Sequence, residues 1–231
     1  LIDVWKTSDH DGYISGMVPG EIESGFKEVQ DIYGILPNVE LCKGFSLDWA
    51  NKFKDDALIK QIESGDQKIS NAWYNYVNTF DEGILQKWSS NKIDDRNWNS
   101  MQLPGYWADN GLSNVNGVVW YRKTIKVPKS MLGINAKLEL GRIVDADSVF
   151  VNGKFVGTTS YQYPPRRYEL DNNVLQEGEN TIAIRVISNA GRGGFVLDKK
   201  YELTTSKDTI HLEGPWKFRL GIPSTSLPSQ T

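Results

Sequence analysis

Gly178-Glu179-Asn180-Thr181-Ile182-Ala183-Ile184-Arg185-Val186 is the stretch on which the fold turns. Ile182, Ile184 and Val186 alternate with Thr181, Ala183 and Arg185, a period of two that belongs to a half-buried strand. The turn residues Gln176-Glu177-Gly178-Glu179-Asn180 precede it. Working outward, Ala136-Lys137-Leu138-Glu139-Leu140 and Trp216-Lys217-Phe218-Arg219-Leu220 alternate in the same way. Val119, Tyr121, Ile125 and Val127 share a face, with Lys123 as the exception. Val151-Asn152-Gly153-Lys154 places Asn-Gly between two apolar runs, the strongest short hairpin signal. Pro128 and Pro164-Pro165 stop strands. Several short strands, separated by turns and without helices between them, predict an antiparallel β-sandwich of jelly-roll type.

Upstream of Trp98 the period is helical. Leu58, Ile62, Ile69, Trp73, Tyr76, Val77, Phe80 and Ile84 recur at three-, four- and seven-residue steps, one apolar stripe on a helix over about 55–88. Gly65 marks an expected break between two shorter helices, and Asp81-Glu82-Gly83 a fray point. A stripe of this kind is either a ligand-facing row or core, and core is the expectation. Residues 1–53 have weak periodicity, with a short helix over Glu21–Tyr33. The expected division is 1–90 as irregular and helical lead-in, 91–221 as jelly roll, and 222–231 as linker.

The 231 residues suit one large domain, or a medium domain with an appendage. An apolar content of 39% with 8 Trp is enough for a core. A net charge of −3 leaves no basic footprint, so nucleic acid is not expected as a partner. No apolar run is long enough for a membrane span. The single cysteine, Cys42, permits no intrachain disulfide and no cysteine-based metal site. A start at Leu1 and a Pro/Ser-rich end read as cuts in a longer polypeptide.

The β region resembles a known domain. Asp94–Trp107, with its Leu103-Pro104-Gly105-Tyr106-Trp107 end, is similar to the opening of the sugar-binding jelly roll of family 2 glycoside hydrolases. Gly117–Lys123, Asp145–Gly157 and Gly178–Val186 resemble that domain's first long strand, hairpin and later strand. A finer resemblance is to the version of this domain inserted in bacterial sialate O-acetylesterases, carried by Leu103–Trp107, Gly117–Lys123, Pro164–Tyr168 and Leu212–Phe218. It runs from about Lys54 to Gly221 and leaves residues 1–53 unmatched. That resemblance implies a periplasmic or secreted parent with a serine acyl-transfer site on an SGNH-type catalytic domain. The expected motifs, Gly-Gln-Ser-Asn, Gly-Asp-Ser or Gly-x-Ser-x-Gly, do not occur in this sequence.

The titratable residues do not assemble a catalytic site by spacing. His10 and His211 are the two histidines, and His211 alternates with Ile210 and Leu212, which turns it outward. Asp145 and Asp147 would share a face of a regular strand, as an acid–base pair, a cation site or a structural element of the hairpin. Gly191-Arg192-Gly193-Gly194 lies between strands and reads as loop rather than phosphate cradle. The expectation is no catalytic residue, no metal and no cofactor. The candidate ligand residues are Tyr161, Tyr163, Arg166, Arg167 and Trp107: aromatic faces stack on sugar C–H surfaces, and arginine forks bind carboxylates such as that of a sialic acid. The competing reading has the arginines packed against neighbours and Trp107 in the core. The resemblance thus implies a non-catalytic accessory domain of a carbohydrate esterase, whose partners are a glycan and the catalytic domain of the same parent chain. The alternatives are a stand-alone carbohydrate-binding module, the N-terminal sugar-binding domain of a family 2 glycosidase, and a structural insert.

Overall fold

A computed structural model of the chain describes residues 56–113, 115–189 and 192–222. The expected helix over residues 21–33, Cys42, His10 and the tail after Ile222 lie outside the described residues. The chain divides into two compact units, Leu1–Ala72 and Trp73–Thr231.

In the first unit the described residues are the opening of helix α1 (Asp56–Phe80). It runs unbroken through Gly65, whose missing Cβ would meet open space. The expected break is absent because one interior glycine costs a helix only about 1 kcal/mol. Gln67 donates to Asn71 one turn on, at 2.9 Å.

Among the described residues, the second unit holds the end of α1, the short helix α2 (Glu82–Leu85) and thirteen strands. These are β1 (Asn99–Leu103), β2 (Gly105–Tyr106), β3 (Gly117–Val127), β4 (Ala136–Leu140), β5 (Ile143–Val144), β6 (Ala146–Val151), β7 (Lys154–Thr159), β8 (Arg167–Leu170), β9 (Gly178–Ser188), β10 (Gly194–Phe195), β11 (Tyr201–Thr205), β12 (Thr209–His211) and β13 (Gly214–Leu220). A six-stranded sheet has the order β1-β13-β3-β9-β6-β7, a four-stranded sheet β12-β11-β4-β8, and a small sheet β2-β10-β5. The fold is a β-sandwich, as its alternation predicts. Val119, Tyr121, Ile182, Ile184, Val149, Val151, Trp216 and Phe218 line the inner face of the large sheet. Leu138, Leu140, Tyr168, Leu170 and Leu203 meet them from the four-stranded sheet. The β6–β7 hairpin turns on Asn152 (φ 52°) and Gly153 (φ 80°), both positive as the tightest two-residue turn requires. The Asn152 side chain also accepts from Thr181 N at 2.9 Å, tying the turn to β9.

The outer face of the large sheet is covered rather than solvated. Trp73, Tyr76 and Val77 of α1, with Trp88 and Trp98, pack on Val118, Trp120, Ala146 and Ile187. Trp88 meets Trp98 at 4.9 Å and Trp120 at 6.3 Å, both edge to face. Asp81, between the two helices, is fully buried. Its carboxylate accepts from Arg185 Nε at 2.6 Å, from Trp120 Nε1 at 2.9 Å, and from Gly83 N at 2.8 Å as the cap of α2. Trp120 and Arg185 are opposite one another in the β3–β9 register, so one carboxylate satisfies both. A Cβ on Gly83 would lie 2.1 Å from Trp120 Nε1, so only glycine lets the backbone come this close. Arg122 reaches the same covering layer, donating to Asp95 at 2.8 Å, to Ser90 O at 3.0 Å, and to Trp88 O.

Two expectations change here. The helical stripe is core only in part: Val77 is buried, whereas Phe80 and Ile84 are exposed, because Asp81 ends α1 and redirects the chain. The Asp81-Glu82-Gly83 segment is an anchor rather than a fray point. Residues 73–90 share a compact unit with the sandwich, and Ile222 is buried among their contacts.

Asp81→Ala strands the Arg185 charge in a buried site, so it is expected to cost about 3–5 kcal/mol in urea denaturation. A loss below about 1 kcal/mol would show that the helix is held without this pair. Tyr121 is wholly buried, its hydroxyl 3.8 Å from Met101 Sδ, and burial pushes its phenol well above the ordinary value. The unfolded phenol ionises near pH 10 and the folded one does not, so stability present below that pH is lost as pH rises through it. Tyr121→Phe is expected to flatten this alkaline decline in melting temperature, and an unchanged decline would overturn the assignment.

Candidate functional site

Between β7 and β8 the chain makes a loop whose residues were singled out by sequence. Its floor is Arg166, which is fully buried. Arg166 Nε donates to Asp147 Oδ1 at 2.5 Å; Nη1 donates to Pro164 O at 2.8 Å and Gln162 O at 3.3 Å; Nη2 donates to Asp145 O at 3.0 Å. The Asp147 carboxylate also accepts from Tyr168 Oη at 2.5 Å, and Tyr168 Oη lies 3.0 Å from Thr159 Oγ1. Burial pushes the Asp147 carboxyl up from its ordinary value, countered by the Arg166 charge and the Tyr168 hydrogen bond. Burial and the adjacent Asp147 charge raise the Tyr168 phenol. Gly157 of β7 makes room for the Tyr168 ring, since a Cβ there would lie 2.1 Å from Cδ1.

On top of this floor stand Tyr161 and Tyr163, 58% and 55% exposed. Their ring centroids are 5.1 Å apart with an interplanar angle of 65°. The five sequence candidates therefore part company. Tyr161 and Tyr163 are brought together at the surface, and Arg166 supports them from below, its guanidinium spent on internal acceptors. Arg167 turns to the other face of β8, 61% exposed, with Nε 3.3 Å from Glu139 Oε1. Trp107 is fully buried, its indole against Gly193. Asp145 and Asp147 do not converge either. Asp145 has a φ of 64°, which breaks the strand period, and its carboxylate accepts from Ser188 Oγ at 2.6 Å instead. His211 projects into solvent, 4.0 Å from Glu213.

Sequence reading passed over a polar neighbour of this loop. Arg166 N donates to Gly141 O at 2.7 Å, which places Arg142 at the loop's base. Arg142 Nη2 donates to Asp198 Oδ2 at 2.7 Å, and both side chains reach solvent. Only the tertiary fold joins these two. At the far end of β8 lies a shallow polar depression lined by Asn135, Glu169, Asp171 and Asn172.

Comparison with known proteins gives a family match. The family described as "Glycosyl hydrolases family 2, sugar binding domain" matches residues 60–217. A β-galactosidase of Bacteroides ovatus is 32% identical over 104 residues, which are 40% of this chain and 12% of that protein. A β-glucuronidase of Formosa agariphila is 31% identical over 75 residues, 32% of this chain and 8% of that protein. The solved β-glucuronidase of Bacteroides uniformis is 21% identical, covering 56% of this chain and 15% of its own, with a TM-score of 0.42. The chain thus spans about an eighth or less of these curated relatives. The matches are to glycosidases, and they overturn the expectation of a sialate O-acetylesterase parent.

Arg166→Ala leaves Asp147 buried without its cation and is expected to cost about 3–5 kcal/mol. Arg167→Ala removes an exposed pair and is expected to cost under about 1 kcal/mol. Chemical denaturation of both variants checks the contrast, and equal losses would refute it.

Proposed function

Because the chain belongs to the sugar-binding-domain family of the family 2 glycosyl hydrolases, we propose that it is the non-catalytic module of a larger β-glycosidase and holds glycan beside the catalytic domain of the same polypeptide. The observation that carries this reading is the family match across residues 60–217, which takes in most of α1 and nearly the whole sandwich. The names of the relatives point to β-galactosides or β-glucuronides as the sugars handled by the parent. Hydrolysis falls to the rest of that polypeptide. Glycoside cleavage uses two carboxylates facing each other across the scissile bond. Here the buried carboxylates Asp81 and Asp147 are each locked to an arginine inside the fold.

The test is calorimetric titration of the chain with methyl β-galactoside, methyl β-glucuronide and their oligosaccharides, beside an assay with nitrophenyl glycosides. Saturable binding with millimolar dissociation constants and no turnover is the expected result. Turnover by the purified chain, or no binding by a folded sample at millimolar sugar, would overturn it.

A further inference from the structure

Resting on that reading, we propose that Tyr161 and Tyr163 form a two-walled aromatic corner that takes one pyranose ring of a glycan, with the Arg142–Asp198 pair at its edge bonding the ring hydroxyls. Two tyrosines more than half exposed contribute little to the core. Their rings stand 5.1 Å apart and 65° to one another, so a flat ligand that stacks on one ring abuts the second. A pyranose has the matching anatomy, an apolar C–H face for an aromatic ring and a polar rim of hydroxyls.

The corner is set before any ligand arrives. Arg166 bonds the carbonyls of Gln162 and Pro164 from beneath, and Pro164 and Pro165 each have a fixed φ. A loop held in this way loses little conformational freedom on binding, so weak stacking contacts are not spent on ordering it. Arg166 is therefore a positioning residue and not a ligand contact.

The polar edge follows from the backbone. Gly141 O accepts from Arg166 N at 2.7 Å, and Arg142 O accepts from Val196 N at 2.9 Å, so Arg142 stands between the tyrosine loop and the segment bearing Asp198. Their side chains are 26% and 47% exposed and 2.7 Å apart. Such a pair sets donors beside an acceptor, which suits neighbouring sugar hydroxyls. Lys199 Nζ also lies 3.7 Å from Asp198 Oδ2, so the edge keeps a net positive charge and accommodates a neutral or an acidic sugar.

The experiment is titration of the chain and its variants with methyl β-galactoside and a galacto-oligosaccharide, read by calorimetry and by the aromatic proton resonances. The double variant Tyr161→Ala, Tyr163→Ala is expected to melt as the unaltered chain does and to bind about tenfold or more weakly. The double variant to Phe keeps the ring faces and is expected to stay within about threefold. Arg142→Ala weakens binding, and Arg167→Ala, on the other face of β8, does not. If the chain binds sugar and the double alanine variant binds it equally well, the corner is not the site, while the sugar-binding reading stands. If the unaltered chain binds no sugar, both readings fall, and the tyrosines become a contact for another protein surface.

Discussion

The covering layer on the large sheet depends on one buried carboxylate. Asp81 caps α2, receives the Trp120 indole and neutralises Arg185, joining the helical segment to the two central strands β3 and β9. A sheet face bearing Arg122 and Arg185 would ordinarily face water. Here it is closed by a layer whose carboxylates and carbonyls accept the hydrogen bonds of both arginines, and whose tryptophans fill the space between them. Removing one partner of such a pair leaves the other charged and buried, which makes the arrangement nearly all-or-none.

The same device recurs one strand away, where Asp147 lies opposite Val186 and so next to Arg185, for a different purpose. Arg166 and Asp147 are both fully out of solvent, but their pair supports a surface loop rather than a layer. The guanidinium plane gathers three backbone carbonyls and one carboxylate, so the loop bearing Tyr161 and Tyr163 is held by a single side chain. Rigid support beneath an exposed aromatic pair is what a binding surface needs and what a plain connection between strands does not.

The correction from esterase to glycosidase has a physical explanation. The residues that carried the finer resemblance are those that the sandwich itself requires. Trp120 and Tyr121 fill the two faces of β3, and Trp216 and Phe218 fill the inner face of β13. Such residues report the fold, and one fold serves many parents. What the chain shares with its relatives is the module.

The sequence by itself determined the strands, their inner faces, the Asn-Gly hairpin and hence the sandwich, because a period of two and a turn needing positive φ are local properties. It also held the orientation of the two arginines: Arg166 shares parity with Tyr168 and Leu170, which face inward, and Arg167 does not. Only the tertiary structure decided which carboxylate meets which arginine. Asp81 and Arg185 are 104 residues apart, and Asp147 of β6 meets Arg166 from the loop before β8, a strand of the other sheet. Whether a buried charge is satisfied depends on partners brought near by the whole fold, and no local pattern encodes that distance. For the same reason Tyr161 and Tyr163 were legible as candidates, while Arg166 as their support was not.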